Sequence, residues 1–138
     1  MASSGNVQFQ GGLTVYVQAV SNATLTQQVT ITPPSGSAAI FSGSGEGNIP
    51  MALTTAGFLT PPSNGTWASF TTPGSSNQLN TYNVACQSNK GPSDVESNQT
   101  TFQTPAGGNL YFALVVSEDS TDNDYNDSAT FFTAWTTP

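Results

Sequence analysis

Apolar and polar residues alternate with a period of two along several short stretches of the chain. The alternation is clearest from Leu13 to Ala19, and Val29 and Ile31 continue it after a turn that we expect near Asn22. A period of two is typical of a strand that buries one face. The 3.6-residue period of an amphipathic helix is hard to find anywhere in the sequence. The pattern therefore predicts an all-β protein.

Further strands are predicted at 38–42, 66–71, 82–87, 110–116 and 128–135, separated by loops rich in Gly, Pro, Asn and Ser at 42–50, 61–65, 73–77 and 89–92. The segment from Leu110 to Val116 is apolar on both faces, which predicts a central strand covered on both sides. Roughly eight to ten short strands with turns between them indicate an antiparallel β-sandwich. We expect one domain spanning residues 1–138, because no boundary or internal repeat is visible.

Charge is scarce and strongly one-sided, which excludes several function classes. Only 7% of the residues are charged, the formal net charge is -7, and Lys90 is the one cation. Nucleic-acid binding needs many Lys and Arg residues, so it is not expected. The sequence contains no His, which removes Ser-His, Cys-His and His-metal chemistry. Any bound metal should be a hard ion with oxygen ligands.

The single cysteine and the lack of long apolar runs bear on stability and location. Cys86 cannot form a disulfide within the chain and is expected to be a small buried hydrophobe. No apolar stretch is long enough to insert into a membrane, and no signal peptide is visible at the start. We therefore expect a soluble protein that is cytoplasmic or exported by a non-classical route to the cell surface or exterior.

Five of the eight acidic residues lie between Glu118 and Asp127. Carboxylates this close repel one another and raise each other's pKa, so a divalent cation is the natural counter-charge. Asp122, Asp124 and Asn126 occupy alternate positions and would point to one side of an extended loop. Carboxylate and amide oxygens are the ligands that Ca²⁺ selects. The loop therefore predicts a calcium site, with a solvated loop that merely aids solubility as the alternative.

The spacing of the loop also resembles the start of an EF-hand, but this interpretation fails. The sixth position of an EF-hand loop is Gly and the twelfth is Glu. Here those positions hold Asp127 and Thr133, and the flanking segments are predicted strands rather than helices.

The segment 117–127 closely resembles the signature of the LecB-type bacterial lectins, and the resemblance extends to 109–115, 91–95, 20–27 and 39–43. About residues 49–80, the chain is longer than the family pattern and does not match it. The resemblance implies a small β-sandwich that binds fucose and mannose through two adjacent calcium ions. It also implies a homodimer, with a homotetramer left open, in which the C-terminal carboxylate of one subunit completes the site of its neighbour.

The resemblance assigns roles residue by residue. Ligands of the first calcium would be Glu118, Asp122, Asp124 and Asp127, and those of the second Asn22, Asp124, Asn126 and Asp127. The terminal carboxylate of the partner's Pro138 would complete the site. The family chain ends in Gly where this chain ends in Pro. Sugar contacts would come from Asn22, Ala23, Thr24, Glu118, Asp119, Asp122, Asp124 and Asp127.

The residue after Asn22 tunes sugar preference in the family, with Ser favouring fucose and Ala favouring mannose. This chain has Ala23, so the resemblance implies a preference for mannose, because a missing hydroxyl removes a hydrogen bond to the sugar. The predicted function is a calcium-dependent, non-enzymatic lectin for glycans that contain mannose or fucose. Two alternatives stay open: a structural or adhesive β-sandwich with a purely structural calcium, and a calcium-dependent glycosidase using two loop carboxylates.

Overall fold

The computed structural model of the chain describes residues 2–63, 67–119 and 124–137. The predicted site residues Asp122 and Pro138 lie outside these ranges. The regular elements within them are ten strands: β1 (Ser4–Gln10), β2 (Thr14–Thr32), β3 (Ala39–Pro50), β4 (Ala52–Thr55), β5 (Ala68–Thr71), β6 (Leu79–Ser88), β7 (Gly91–Pro92), β8 (Asp94–Gln103), β9 (Asn109–Glu118) and β10 (Ser128–Trp135). The all-β class is confirmed. Over the same ranges, no helix long and apolar enough to cross a membrane is found.

The strands form one antiparallel sheet whose main path runs β1-β6-β2-β10-β9-β8, with β3, β4, β5 and β7 attached at its sides. The two ends of this path meet through side chains. The main-chain nitrogen of Gln8 in β1 donates to Oε1 of Gln99 in β8 at 2.6 Å, and Nε2 of Gln99 donates to the Gln8 carbonyl at 2.8 Å. The predicted antiparallel β-sandwich is confirmed, and its sheet curls nearly into a barrel.

Strand β2 corrects the turn that was expected near Asn22. The chain continues as one 19-residue strand, with register irregularities against β3 between Ser21 and Ala23 and again between Ala23 and Gln27. Before the irregularity β2 pairs with β10 and β5, and after it with β6, while β3 pairs with β2 on both sides of it. The polar residues near Asn22 therefore mark a change of partner strands and a local bulge, not a reversal of the chain.

The loop predicted at 42–50 is also wrong, because these residues belong to strand β3. Gly43 and Gly45 pair with Gln27 and Ala23 of β2. Glycine disfavours strands by itself, but pairing with neighbouring strands outweighs that preference. At Gly43 a Cβ atom would lie 3.1 Å from a Met51 side-chain atom, so glycine allows a close approach here.

The core lies between the inner faces of the strands. Its most buried members include Val7, Phe9, Val15, Val17, Val29, Ile31, Phe41, Tyr82, Val84, Ala113, Val115 and Phe132. Phe58, from the middle segment at about 49–80, packs edge-on to Phe70 with ring centroids 5.0 Å apart and stacks on Tyr82 at 5.7 Å. Cys86 is buried, as predicted. Part of the longer middle segment thus contributes aromatic packing to the core.

Strand β9 differs from the prediction that both of its faces are covered. Ala113 and Val115 are fully buried, whereas Phe112, Leu114 and Val116 on the opposite face are only half-buried. Within one chain, the core therefore covers a single face of this strand. The apolar outer face of β9 is left partly exposed to solvent by the rest of the chain.

Candidate metal centre

Three carboxylates of the acidic segment converge at one end of the sheet. Glu118 ends β9, and Asp124 and Asp127 precede β10, which pairs with β9. One oxygen of each lies within 4.8 Å of one oxygen of the others. Glu118 and Asp127 are 2% and 8% exposed, while Asp124 is exposed. Two nearly buried carboxylates beside a third are unfavourable without a counter-charge, so the arrangement suits a cation.

Main-chain amides hold the buried carboxylates in place. The Asp124 and Tyr125 amides donate to Oε2 of Glu118 at 3.1 and 3.2 Å, and the Asp119 amide donates to Oδ2 of Asp127 at 2.7 Å. Tyr125 adopts a left-handed conformation with φ of 51°, which turns the chain between the two ends of the segment. These charge-assisted contacts preorganise oxygen atoms that point toward one another.

The electrostatics of Asp127 reflect this crowding. Burial, followed by a hydrogen bond with the Glu118 carboxyl, raises the pKa of Asp127 to about 7. The all-oxygen donor set fits calcium, which binds six to eight oxygen ligands, and it does not fit a soft metal.

Asn22 reaches this end of the sheet from the N-terminal half of the chain. Its main-chain nitrogen donates to the Asp127 carbonyl at 2.9 Å. Its side chain is tied to the tip of the β3 segment: Oδ1 accepts from the amides of Gly47 and Asn48 at 2.7 and 3.0 Å, and Nδ2 donates to Oδ1 of Asn48 at 2.7 Å. The structure thus brings Asn22 beside the cluster, with its amide oxygen held by β3.

A cleft of about 340 Å³ opens beside the cluster. It is lined by Asn22, Ala23, Thr24, Leu25, Glu46, Lys90, Asp119 and Asp127. Five of these eight residues were predicted to contact sugar, so the structure brings together residues from β2, the end of β9 and the start of β10. Asn126 is exposed between Tyr125 and Asp127, and its role as a ligand remains a prediction.

Glu46 and Lys90 line the same cleft but were not among the site residues predicted from the sequence. Glu46 lies in β3, and Lys90 lies in the turn between β6 and β7. Their positions depend on the pairing of β2 with both strands, which local spacing does not reveal. One feature of the sequence could have identified Lys90: it is the one cation of a strongly acidic chain.

Comparison with known proteins gives one matching family and several similar solved structures. A family model described as fucose-binding lectin II (PA-IIL) matches residues 7–136. No curated protein matches the chain in sequence. Among solved structures, a high-affinity mannose-binding lectin of Ralstonia solanacearum is 28% identical, with a TM-score of 0.69 and 94% of each chain covered.

Two further structures are similar. A lectin of Chromobacterium violaceum in complex with α-methyl-fucoside is 26% identical, with a TM-score of 0.70 and 96% of each chain covered. The C-terminal domain of a Burkholderia cenocepacia lectin is 21% identical, with a TM-score of 0.58, and 96% of this chain and 97% of that chain are covered. The last comparison supports the fold alone.

Proposed function

The chain belongs to the fucose-binding lectin II (PA-IIL) family, and from this premise we propose that it binds mannose-type sugars through calcium. The observation that carries the proposal is the convergence of Glu118, Asp124 and Asp127 next to a cleft that Asp127 also lines. Proteins of this family are lectins, so the chain is a carbohydrate-binding protein and not an enzyme. Family membership therefore weighs against the glycosidase alternative.

The proposed site holds two calcium ions. Glu118, Asp124 and Asp127 would hold the first together with Asp122, and Asp124 and Asp127 would be shared with the second. Asn22, Asn126 and the partner's Pro138 would complete the second. The support in this chain is the close approach of the three described carboxylates and the main-chain bond that brings Asn22 to Asp127.

The cleft suits a neutral sugar that offers neighbouring hydroxyl groups. Bound calcium supplies direct coordination of a vicinal diol. The oxygens of Asp119 and Asp127 then accept hydrogen bonds from the same hydroxyls, and bonds to charged acceptors are stronger than neutral ones. Main-chain amides already orient Asp127, so little further ordering is needed when a sugar binds.

The proposed preference is for mannose over fucose. Ala23 and Thr24 line the cleft next to Asn22, and the methyl side chain of Ala23 offers no hydroxyl to a sugar. The similar Ralstonia solanacearum protein is described as mannose-binding, and the similar Chromobacterium violaceum lectin is seen with a fucoside. Both sugars therefore belong in the test of this chain.

A homodimer is the second part of the proposal. The outer face of the β9 and β10 pair is apolar, since Leu114 lies opposite Phe131 and Phe112 lies opposite Thr133, and all four are only half-buried. Next to them, Trp135 is 56% exposed and stacks on Tyr16 at 5.4 Å. An exposed apolar face of this kind is typical of a surface that packs against another chain.

Two copies packed by this face, with their β10 strands antiparallel, would share their sites. Ser128 begins β10 beside the acidic cluster, and Trp135 ends it near the end of the chain. A two-fold axis perpendicular to the strands gives this antiparallel arrangement, and it would lay the end of each chain beside the partner's cluster. The partner's Pro138 could then supply its terminal carboxylate. A tetramer remains a prediction.

Calorimetric titration with methyl mannoside and methyl fucoside tests the proposal, in calcium and in excess chelator. We expect binding of both sugars in calcium, tighter for mannoside, and none in chelator. Binding that survives the chelator would refute calcium-dependent recognition. Calcium binding without any sugar binding would favour a purely structural calcium instead.

A further inference from the structure

Gln27 is a buried polar side chain directly behind the cleft. It lies in β2, between Gly43 of β3 and Ser88 of β6, and it is 1% exposed. Its Nε2 atom donates to Oδ2 of Asp119 at 2.6 Å and to the carbonyl of Leu25 at 3.1 Å. Asp119 and Leu25 both line the cleft.

The orientation of the Gln27 amide follows from its partners. A carboxylate oxygen and a carbonyl oxygen are both acceptors, so the nitrogen of the amide must face them. The opposite atom, Oε1, is buried with no hydrogen-bond partner among the described residues. An unsatisfied buried acceptor is unfavourable. An apolar side chain would avoid this penalty, so the presence of an amide is explained by the two groups that Nε2 holds.

The two groups held by Gln27 belong to different segments that line the cleft. Asp119 follows β9, and its own amide is bonded to Oδ2 of Asp127 at 2.7 Å. Leu25 belongs to the irregular part of β2 that also carries Ala23 and Thr24. One buried amide therefore sets the distance between the residues that face the sugar from β2 and the carboxylate that faces it from the end of β9.

We infer that Gln27 is a positioning residue that sets the affinity and selectivity of the cleft for sugar hydroxyls, an inference that rests on the proposed lectin function. By holding one carboxylate oxygen of Asp119, the amide fixes the rotamer in which Asp119 meets a hydroxyl. By holding the Leu25 carbonyl, it fixes the backbone beside Ala23 and Thr24. Among the described residues, the side-chain hydrogen bonds of Gln27 reach Asp119 and Leu25 and none of the proposed calcium ligands. Loss of these bonds should therefore lower sugar affinity more than calcium affinity.

The test uses Gln27→Met, which keeps the length of the side chain and removes the donor, and Gln27→Glu, which replaces the donor by an acceptor. Gln28→Met is the matched control, because Gln28 is the same residue type one position along β2 and points to the other face, where it is half-buried. Each variant is titrated with calcium alone, then with methyl mannoside and methyl fucoside in saturating calcium.

We expect both Gln27 variants to bind sugar about tenfold or more weakly, the scale of a lost hydrogen bond to a charged group. Their mannoside-to-fucoside ratio should change as well, while calcium affinity stays within about twofold of that of wild type and of Gln28→Met. Equal sugar affinity and ratio in Gln27→Met and Gln28→Met would overturn the inference. Parallel losses of calcium and sugar affinity would also overturn it, since they indicate a general structural effect.

A measurement on the wild-type protein keeps the inference testable if the variants fold poorly. The side-chain amide resonances of Gln27 should shift when methyl mannoside is added to the calcium-loaded protein, whereas those of Gln99, which bonds to Gln8 far along the sheet, should not. Sugar binding that leaves the Gln27 resonances in place would overturn the inference alone. Absence of any sugar binding by wild type would overturn the proposed function and, with it, the inference.

Discussion

The main-chain nitrogen of Asn22 donates a 2.9 Å hydrogen bond to the main-chain oxygen of Asp127. The two residues lie about 100 positions apart in the sequence, yet this bond extends the pairing between β2 and β10 up to the acidic cluster. Because the bond is made by backbone atoms, substitution of either side chain leaves it in place.

Asp124→Ala should abolish calcium binding and sugar binding together. Asp124 is proposed to be shared by both ions, and it is exposed, so the fold should survive the change. We expect calcium affinity to fall by at least about 100-fold, the scale of losing a close charged contact, as measured by calorimetry. Glu96→Gln, on the exposed part of β8, is the control and should bind as wild type does. Sugar binding retained by Asp124→Ala would contradict the two-ion arrangement.

Ala23→Ser should shift the preference of the protein toward fucose. The new hydroxyl would stand in the cleft beside Asn22, and one neutral hydrogen bond is worth about a 2- to 10-fold change in affinity. Competition of methyl mannoside against methyl fucoside in one titration measures the ratio directly. Thr26→Ser, an exposed neighbour in β2, should leave the ratio unchanged. An unaltered ratio in Ala23→Ser would mean that position 23 does not tune selectivity.

Extension of the chain beyond Pro138 should weaken sugar binding. A short C-terminal tag removes the free terminal carboxylate that the shared site is proposed to use, and we expect a loss of about tenfold or more. The same tag placed before Met1 is the control. Equal affinity of the two tagged proteins for methyl mannoside would contradict the shared site.

Phe131→Glu should convert the dimer into a monomer and lower sugar affinity with it. The change places a charge on the half-buried outer face of β10, where packing against a second copy would leave the charge unpaired. Sedimentation equilibrium gives the mass, and titration gives the affinity. Leu79→Glu introduces the same charge at a residue that is 60% exposed on β6 and should change neither. A wild-type monomer at micromolar concentration would refute the dimer.

In the absence of calcium, the ionisation of Asp127 should lower stability as the pH rises. Its folded-state pKa is about 7 against an ordinary value of 3.8. Between these two values, Asp127 is mostly protonated in the folded chain and mostly ionised in the unfolded chain. The stabilisation that protonated Asp127 gives to the folded chain is fully present below about pH 4 and is lost as the pH rises from 4 to 7. Above that range, the ionisation of Asp127 causes no further change in the free energy of unfolding.

Asp127→Asn removes this titration. In chelator, the Tm of the variant should rise relative to that of wild type as the pH increases from 4 to 7, and the two should then stay a fixed interval apart. Calcium should raise the Tm of wild type much more than that of the variant, because an ion that binds only the folded state stabilises it. A Tm difference that does not depend on pH would show that Asp127 titrates normally.

Local sequence patterns predicted much of the fold because strand alternation is a local property. The strand at 128–135 was predicted with its observed bounds, and the strand at 82–87 lies within β6. The errors have a common cause. The polar residues near Asn22 resembled a turn, and the glycines of 42–50 resembled a loop, but pairing across the sheet placed both segments in strands. The outer face of β9 was predicted correctly to be apolar, but it is only half-buried within one chain.

The acidic segment was determined by the sequence alone, since carboxylates crowded within ten residues repel one another whatever the fold, and that repulsion selects a hard cation. The tertiary structure decided which distant groups join them. The pairing of β2 with β10, β3 and β6 brings Asn22, Glu46 and Lys90 to the same cleft, and it buries Gln27 behind Asp119. Such contacts depend on strand register, which is set by burial across the whole sheet and cannot be read from local spacing.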